Sequence, residues 1–169
     1  MNIWNSRAAA LAAVALMGCS KAEAPKGEVP AAATVMAAPT LYAFVSNEDS
    51  RDMTIIDATT YQVVGTVPVG TRPRGIKVSP DGKTVYVALS GSPRCPPTMP
   101  DEECEKLVAD KSKDGIAVVD VASRKTVKVI PGGSDPEAFA LSSDGSRLFV
   151  SNEDAGTASI VNLTSGVVE

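Results

Sequence analysis

From residue 41 onward, apolar positions fall in short runs, at 41–46, 53–57, 62–69 and 75–79, each rich in Val, Ile, Tyr or Phe. Branched and aromatic side chains suit the pleated, half-buried surface of a β-strand, and runs this short suit strands rather than helices. The breaks between them are Asn47-Glu48-Asp49-Ser50, Ala58-Thr59-Thr60, Gly70-Thr71-Arg72-Pro73 and Pro80-Asp81-Gly82. Gly, Pro, Asn and Asp supply the turn conformations required there. Helical periodicity is missing from these runs, and the only turn of helix the sequence predicts lies in Asp101-Glu102-Glu103-Cys104-Glu105-Lys106-Leu107.

The pattern repeats. Phe44-Val45-Ser46-Asn47-Glu48-Asp49 returns unchanged at Phe149-Val150-Ser151-Asn152-Glu153-Asp154, and Ser79-Pro80-Asp81-Gly82 answers to Ser142-Ser143-Asp144-Gly145. Phe44 lies 42 positions before Tyr86, whereas Tyr86 lies 63 before Phe149; Asp120 to Asn162 falls back to 42. All the excess therefore sits between Tyr86 and Asp120, as one loop insertion at 91–110. A four-stranded antiparallel unit recurring every 42 residues is the signature of a β-propeller blade. The expected fold class is all-β, a β-propeller of four-stranded antiparallel blades. With strands lettered A to D from the channel outward, residues 41–46 are a strand B, and 75–79 and 137–141 are channel-lining A strands. The count is then about two and a half blades, ending in a partial D strand, against the four to eight of a closed ring. The expectation is a fragment of a ring of roughly seven blades, with self-assembly into a ring as the alternative.

Residues 1–18 have the parts of an export signal: one cation (Arg7), an apolar stretch from Ala8 to Met17, and a small residue before Cys19. Leu16-Met17-Gly18-Cys19 resembles the bacterial lipobox, which implies lipidation of Cys19; the alternative is an ordinary secretory signal with a free Cys19. Ser20 after the cysteine implies the outer membrane. Residues 19–40 are rich in Ala, Pro, Lys and Glu without periodicity, a composition that buries too little apolar surface to fold. They are expected to be a disordered tether. The expected location is outside the cytoplasm, in the periplasm or at the cell surface, as an outer-membrane lipoprotein, with the membrane as partner through the lipid.

The stretch 67–87, with Val67-Pro68-Val69-Gly70 and Arg72-Pro73-Arg74-Gly75-Ile76, resembles the repeat of the YVTN-type bacterial propellers. Phe44-Val45-Ser46-Asn47 and Phe149-Val150-Ser151-Asn152 match that signature. Asp135-Pro136-Glu137-Ala138-Phe139-Ala140-Leu141-Ser142 followed by Asn152-Glu153-Asp154 is similar to propellers that accompany quinone-dependent alcohol oxidation in bacterial periplasms. The resemblance covers 41–169. It implies the fold and leaves the activity open, because one fold hosts many functions.

Composition narrows the chemistry. The chain has no histidine, which removes imidazole bases, Ser-His and Cys-His pairs, histidine metal ligands and C-x-x-C-H haem attachment. Its formal net charge of −4 is made of interspersed acids and bases, so no nucleic-acid partner is expected.

Strand direction alternates along a meander, which places the D-to-A and B-to-C loops on one face. Arg72, Arg74, Asp135, Glu137, both acidic loops and the insertion thus surround one channel mouth, while Asp81-Gly82 and Asp144-Gly145 form tight turns on the opposite face. Arg72 and Arg74 stand where Asp135 and Glu137 stand one blade later. The four are ligand-face candidates for an anionic or zwitterionic small molecule, or an interblade ion-pair belt. Asp49, Asp52 and Asp154 suit calcium by ligand type, or are solvated turns. In an exported chain Cys95 and Cys104 are candidates for a disulfide stapling the insertion over the mouth, with a two-cysteine metal site as the poorer alternative. No catalytic residue, metal or cofactor is assigned. The favoured function is a non-catalytic, membrane-tethered propeller binding a partner protein or small molecule. The alternatives are a lactonase-type or quinoprotein-type enzyme using Arg72, Arg74 and Glu137, and a surface adhesion array.

Overall fold

The computed structural model of the protein describes residues 41–169. The expected signal at 1–18, Cys19 and the tether at 19–40 lie outside the described residues. Three antiparallel sheets follow one another along the chain. The first holds β1 (Tyr42–Asn47), β2 (Asp52–Asp57) and β3 (Gln62–Pro68); the second holds β4 (Pro73–Val78), β5 (Thr84–Leu89), β6 (Gly115–Asp120) and β7 (Lys125–Ile130). The third holds β8 (Pro136–Leu141), β9 (Arg147–Asn152), β10 (Thr157–Asn162) and the two-residue β11 (Val167–Val168). Each sheet pairs its strands in chain order. These are strands B to D of one blade, a full second blade and a third blade with a short D strand, as the repeat predicts.

The backbone irregularities recur with the same period as the sequence. The ladder slips between Pro73 and Ile76 and again between Pro136 and Phe139, and likewise between Ile55 and Ile56 and between Val118 and Val119. The first of these bulges explains one difference from the sequence-based bounds: β4 and β8 start at their prolines, a residue or two earlier than expected. Proline fits the first position of a strand because no ladder N–H is required there. Positive φ values repeat too, at Tyr61, Arg124 and Gly166, at Arg72 and Asp135, and at Gly82 and Gly145.

Alternation along the middle sheet places its side chains in two cores. Val85, Val87 and Leu89 of β5 pack with Met53, Ile55 and Val67 of the first blade, while Ala88, Ile116 and Val118 pack with Phe139, Leu148 and Val150 of the third. A sheet covered on both faces reads as a near-continuous apolar run, which is why Val85-Tyr86-Val87-Ala88-Leu89 and Ile116-Ala117-Val118-Val119 carry so little polarity. The blades crowd together at β4 and β8. There a Cβ added to Gly75 would come 2.6 Å from the Glu137 carbonyl oxygen, so this position keeps glycine for close backbone approach.

Candidate functional site

The loop before β4 and the loop before β8 turn through residues in the left-handed region, Arg72 (φ 43°) and Asp135 (φ 53°). Left-handed backbone is costly for a residue with a Cβ, and such strain clusters at functional sites. Each loop is seated by a preceding glycine: a Cβ on Gly70 would meet the Leu89 side chain, and one on Gly133 would meet the Asn152 amide. Leu89 and Asn152 occupy matched places at the ends of β5 and β9.

Arg74 is the centre of the polar rim. Its guanidinium donates to Glu137 at 2.8 Å and to Glu153 at 2.6 Å, and lies 3.6 Å from the Asp135 carboxylate and 4.0 Å from Glu48. Its side chain is 10% exposed. Burial pulls its pKa down, but the hydrogen bond and charge of Glu153 and the charges of Glu137 and Asp135 outweigh burial and raise it. Arg72 takes a different course. It lies 3.9 Å from Glu48, reaches the Ser92 carbonyl at 3.3 Å, and keeps a buried Nε without a hydrogen-bond partner.

Asp135 is 1% exposed. Its carboxylate accepts a hydrogen bond from the Ser90 hydroxyl, its backbone N–H donates to Asp114 at 2.9 Å, and its carbonyl accepts from the Glu153 N–H at 3.0 Å. The other Asp114 oxygen accepts from the Gly91 N–H at 2.6 Å, so one carboxylate ties the root of the insertion to the third blade.

The insertion spans all three blades. Its neck is closed by Asp110 N–H donating to the Gly91 carbonyl at 2.9 Å. Arg94 pairs with Asp49 of the first blade at 2.6 Å, and Lys111 pairs with Asp154 of the third. Beside it, Ser92 Oγ donates to Asp154 at 2.9 Å. The Lys111 hydrogen bond, followed by that of Ser92, lowers the Asp154 pKa, and the same contact raises that of Lys111. Cys95 and Cys104 are joined as a disulfide with Cα atoms 5.7 Å apart, enclosing α1 (Asp101–Cys104), the single helical turn of the insertion. A 3-10 turn at Lys111–Lys113, capped by the Asp110 side chain, leads into β6.

The structure thus gathers Arg72, Arg74, Asp135 and Glu137 on one rim, with Glu48, Arg94 and Glu153 beside them. An open cleft of about 390 Å³ lies among Glu48, Arg72, Arg94, Asp135, Glu153 and Asp154. Carboxylates outnumber cations there, and the Arg74 hydrogen bonds are already spent on carboxylates. Asp49 and Asp154 are held by Arg94 and Lys111, and Asp52 accepts from the Asn47 amide at 2.7 Å. Among the described residues no group of three or more His, Cys, Asp or Glu side chains is placed to hold a metal ion. No described helix is long and apolar enough to cross a membrane.

Sequence reasoning missed Ser90, Ser92, Arg94, Lys111 and Asp114 as members of this rim. Ser90, Ser92, Arg94 and Lys111 border or lie within the insertion, where no second copy exists to set a register. Asp114 had one available signal, its place just before β6, where the insertion must rejoin the blade.

Comparison with known proteins places this geometry in a family. A family model described as lactonase, seven-bladed β-propeller, matches residues 42–168. The uncharacterized protein YncE of Salmonella typhi is 39% identical over 61 residues, which are 36% of this chain and 17% of that protein. Among solved structures, Kuenenia stuttgartiensis hydrazine synthase aligns with a TM-score of 0.59 at 28% identity, over 75% of this chain and 32% of that one. A provisionally assigned 6-phosphogluconolactonase from Bacteroides fragilis aligns with a TM-score of 0.54 at 19% identity, over 76% and 34%. The chain therefore spans about a third or less of the length of these relatives.

Proposed function

The chain belongs to the seven-bladed β-propeller lactonase family, and from that premise we propose that it acts as a non-catalytic propeller, tethered to a membrane outside the cytoplasm, whose channel mouth binds a small molecule or partner protein. The observation that carries this reading is the commitment of Arg74. An arginine meant to stabilise the oxyanion of an opening lactone needs donors aimed at empty space where charge develops. Arg74 instead directs its donors at Glu137 and Glu153. Histidine is missing from the whole sequence, and the carboxylates that accept from the rim serines Ser90 and Ser92, those of Asp135 and Asp154, are themselves paired with Arg74 and Lys111. The excess of carboxylates around the cleft favours a neutral or cationic ligand over the anion that Arg72 and Arg74 suggest in isolation. The lipobox-like Leu16-Met17-Gly18-Cys19 supports the tether, the Phe-Val-Ser-Asn copies support membership of the YVTN-type repeats, and the stretch from Asp135 to Ser142 followed by Asn152-Glu153-Asp154 supports a role in the periplasm alongside quinone-dependent alcohol oxidation.

A second reading, lactone hydrolysis, is favoured by the family description itself and by the Arg72 Nε, buried at the cleft without a hydrogen-bond partner. One assay separates them: the full-length protein is mixed with 6-phosphogluconolactone and ring opening is followed against the spontaneous rate. No acceleration is expected. An acceleration that Arg72→Ala reduces by about 100-fold, the scale of losing one oxyanion donor, would replace the binding reading with the enzymatic one. The tether is tested separately: Cys19→Ser is expected to move the protein from the membrane fraction to the soluble one, and an unchanged distribution would reject it.

A further inference from the structure

A second cleft, of about 550 Å³, opens between the first and second blades under the root of the insertion and adjoins the mouth at Arg51 and Thr71. This is the size of a small-molecule site. Val69 and Leu89 form a buried apolar floor, and Val129 of β7, 51% exposed, forms one wall. Two cations stand in its lining, Arg51 and Lys113, and among the described residues neither makes an ion pair. Asp114 is the one acid of that lining, and both its oxygens are taken by backbone N–H groups, of Gly91 and Asp135. It is also turned towards Lys111, at 3.9 Å, on the mouth side.

Arg51 is held in place at some cost. Its backbone is left-handed (φ 63°), and the matched position of the third blade is Gly156 (φ 59°), the residue such a conformation favours. The Arg51 carbonyl accepts from the N–H groups of Val69 at 3.1 Å and Gly70 at 3.3 Å, which fixes the arginine at the edge of the apolar floor. A cation kept in a strained conformation beside an apolar cleft, without a protein counterion, has the chemistry of a ligand-binding group.

We propose that this interblade cleft binds an amphipathic monoanion, a small apolar body lying on Val69, Leu89 and Val129 with its carboxylate between Arg51 and Lys113. The test is an NMR titration of the intact chain with octanoate, with 1-octanol as the uncharged comparison. Octanoate is expected to produce saturable shifts at Val69, Leu89 and Val129 and to bind about 10-fold more tightly than octanol, the scale of two partly exposed ion pairs. The Arg51→Gly/Lys113→Gln double variant is expected to lose that advantage and leave octanol binding as it was. Glycine suits the left-handed backbone at 51, so the fold is retained, and Val129→Glu provides an independent block by placing a like charge on the wall. Equal affinity for octanoate and octanol would overturn the proposal, as would unchanged octanoate affinity in both variants. So would an absence of saturable shifts.

Discussion

The two rims of these blades solve different problems with similar residues. On the mouth rim, polar side chains find partners far away in sequence: Arg74 reaches Glu153 across 79 positions and Glu137 across 63, and Arg94 reaches Asp49 across 45. On the opposite rim every aspartate is satisfied within its own turn. Ser79 Oγ and the Lys83 N–H donate to Asp81, two residues away on either side, and Ser142 and Ser146 do the same for Asp144. The charged pairs of one rim hold blades to one another; the aspartates of the other close their own turns, and there Arg124 reaches a neighbouring blade, at the Val64 carbonyl. Substitutions of the paired residues on the first rim should therefore weaken the assembly of blades, and substitutions of the aspartates on the second should be felt within a single turn.

The sharpest break of that contrast is Arg74→Ala. It leaves Asp135 buried without the guanidinium 3.6 Å from its carboxylate and frees Glu137 and Glu153 to repel each other. Removing one partner of a fully buried pair costs about 3–5 kcal/mol; with both glutamates about half exposed, the expected loss is discounted to about 2–3 kcal/mol. The measurement is the denaturant midpoint of the intact protein, with Arg74→Lys restoring only part, because an ammonium cannot bridge several carboxylates as a planar fork does. A loss below about 0.5 kcal/mol, typical of an exposed surface pair, would put the two rims on an equal footing.

A smaller effect, confined to the mouth rim, is expected from Cys95→Ser/Cys104→Ser. Closing a loop this short is worth about 2–3 kcal/mol on the chain-entropy account. The insertion lies outside the sheets, so that loss should fall on the insertion alone. Proteolysis within 91–110 should become faster, with the global midpoint little changed. Smaller again is Gly75→Ala, where the added methyl must push back the Glu137 carbonyl at the crowded inner strands. Overpacking of this kind costs about 1–3 kcal/mol, and the lower end is expected because only one methyl enters. An unchanged midpoint would mean that the inner strands are looser than described.

The same contrast explains what could be read from the residues beforehand. Strand positions, the period of 42, the 91–110 insertion and the Asp-Gly turns are local properties, and each is written in consecutive residues. The start of β4 was missed because a bulge between Pro73 and Ile76 is a property of pairing, which consecutive residues do not encode. Arg72, Arg74, Asp135 and Glu137 were legible because the charge reverses at matched repeat positions. Their partners were harder. Glu48 and Glu153 sit inside the repeated hexapeptide and were visible only as acidic turns, while the roles of Ser90, Arg94, Lys111 and Asp114 depend on the path of a loop that occurs once. Nor does sequence alone show that Arg74 is saturated, since that depends on how one blade is rotated against the next.

The smallest effect separates the rims by the origin of their pKa shifts. Asp144 is held down to about 2, first by the Ser142 hydroxyl and then by the Ser146 N–H and hydroxyl, all of them neutral groups. Asp154 is also lowered, but first by the Lys111 ammonium and only then by Ser92. In both cases the folded pKa lies below the ordinary value of 3.8, so each carboxylate adds stability that is fully present above that value. That contribution is lost as pH falls, for Asp144 on passing through about 2. Asp144→Asn should flatten the acid limb of the stability curve slightly. Added salt screens a charge partner and leaves neutral donors largely alone. In about 1 M salt the Asp154 pKa should therefore climb toward 3.8 while that of Asp144 holds, as read from side-chain carboxyl resonances. Equal movement of the two would mean that the rims differ only in the reach of their contacts and share the same electrostatics.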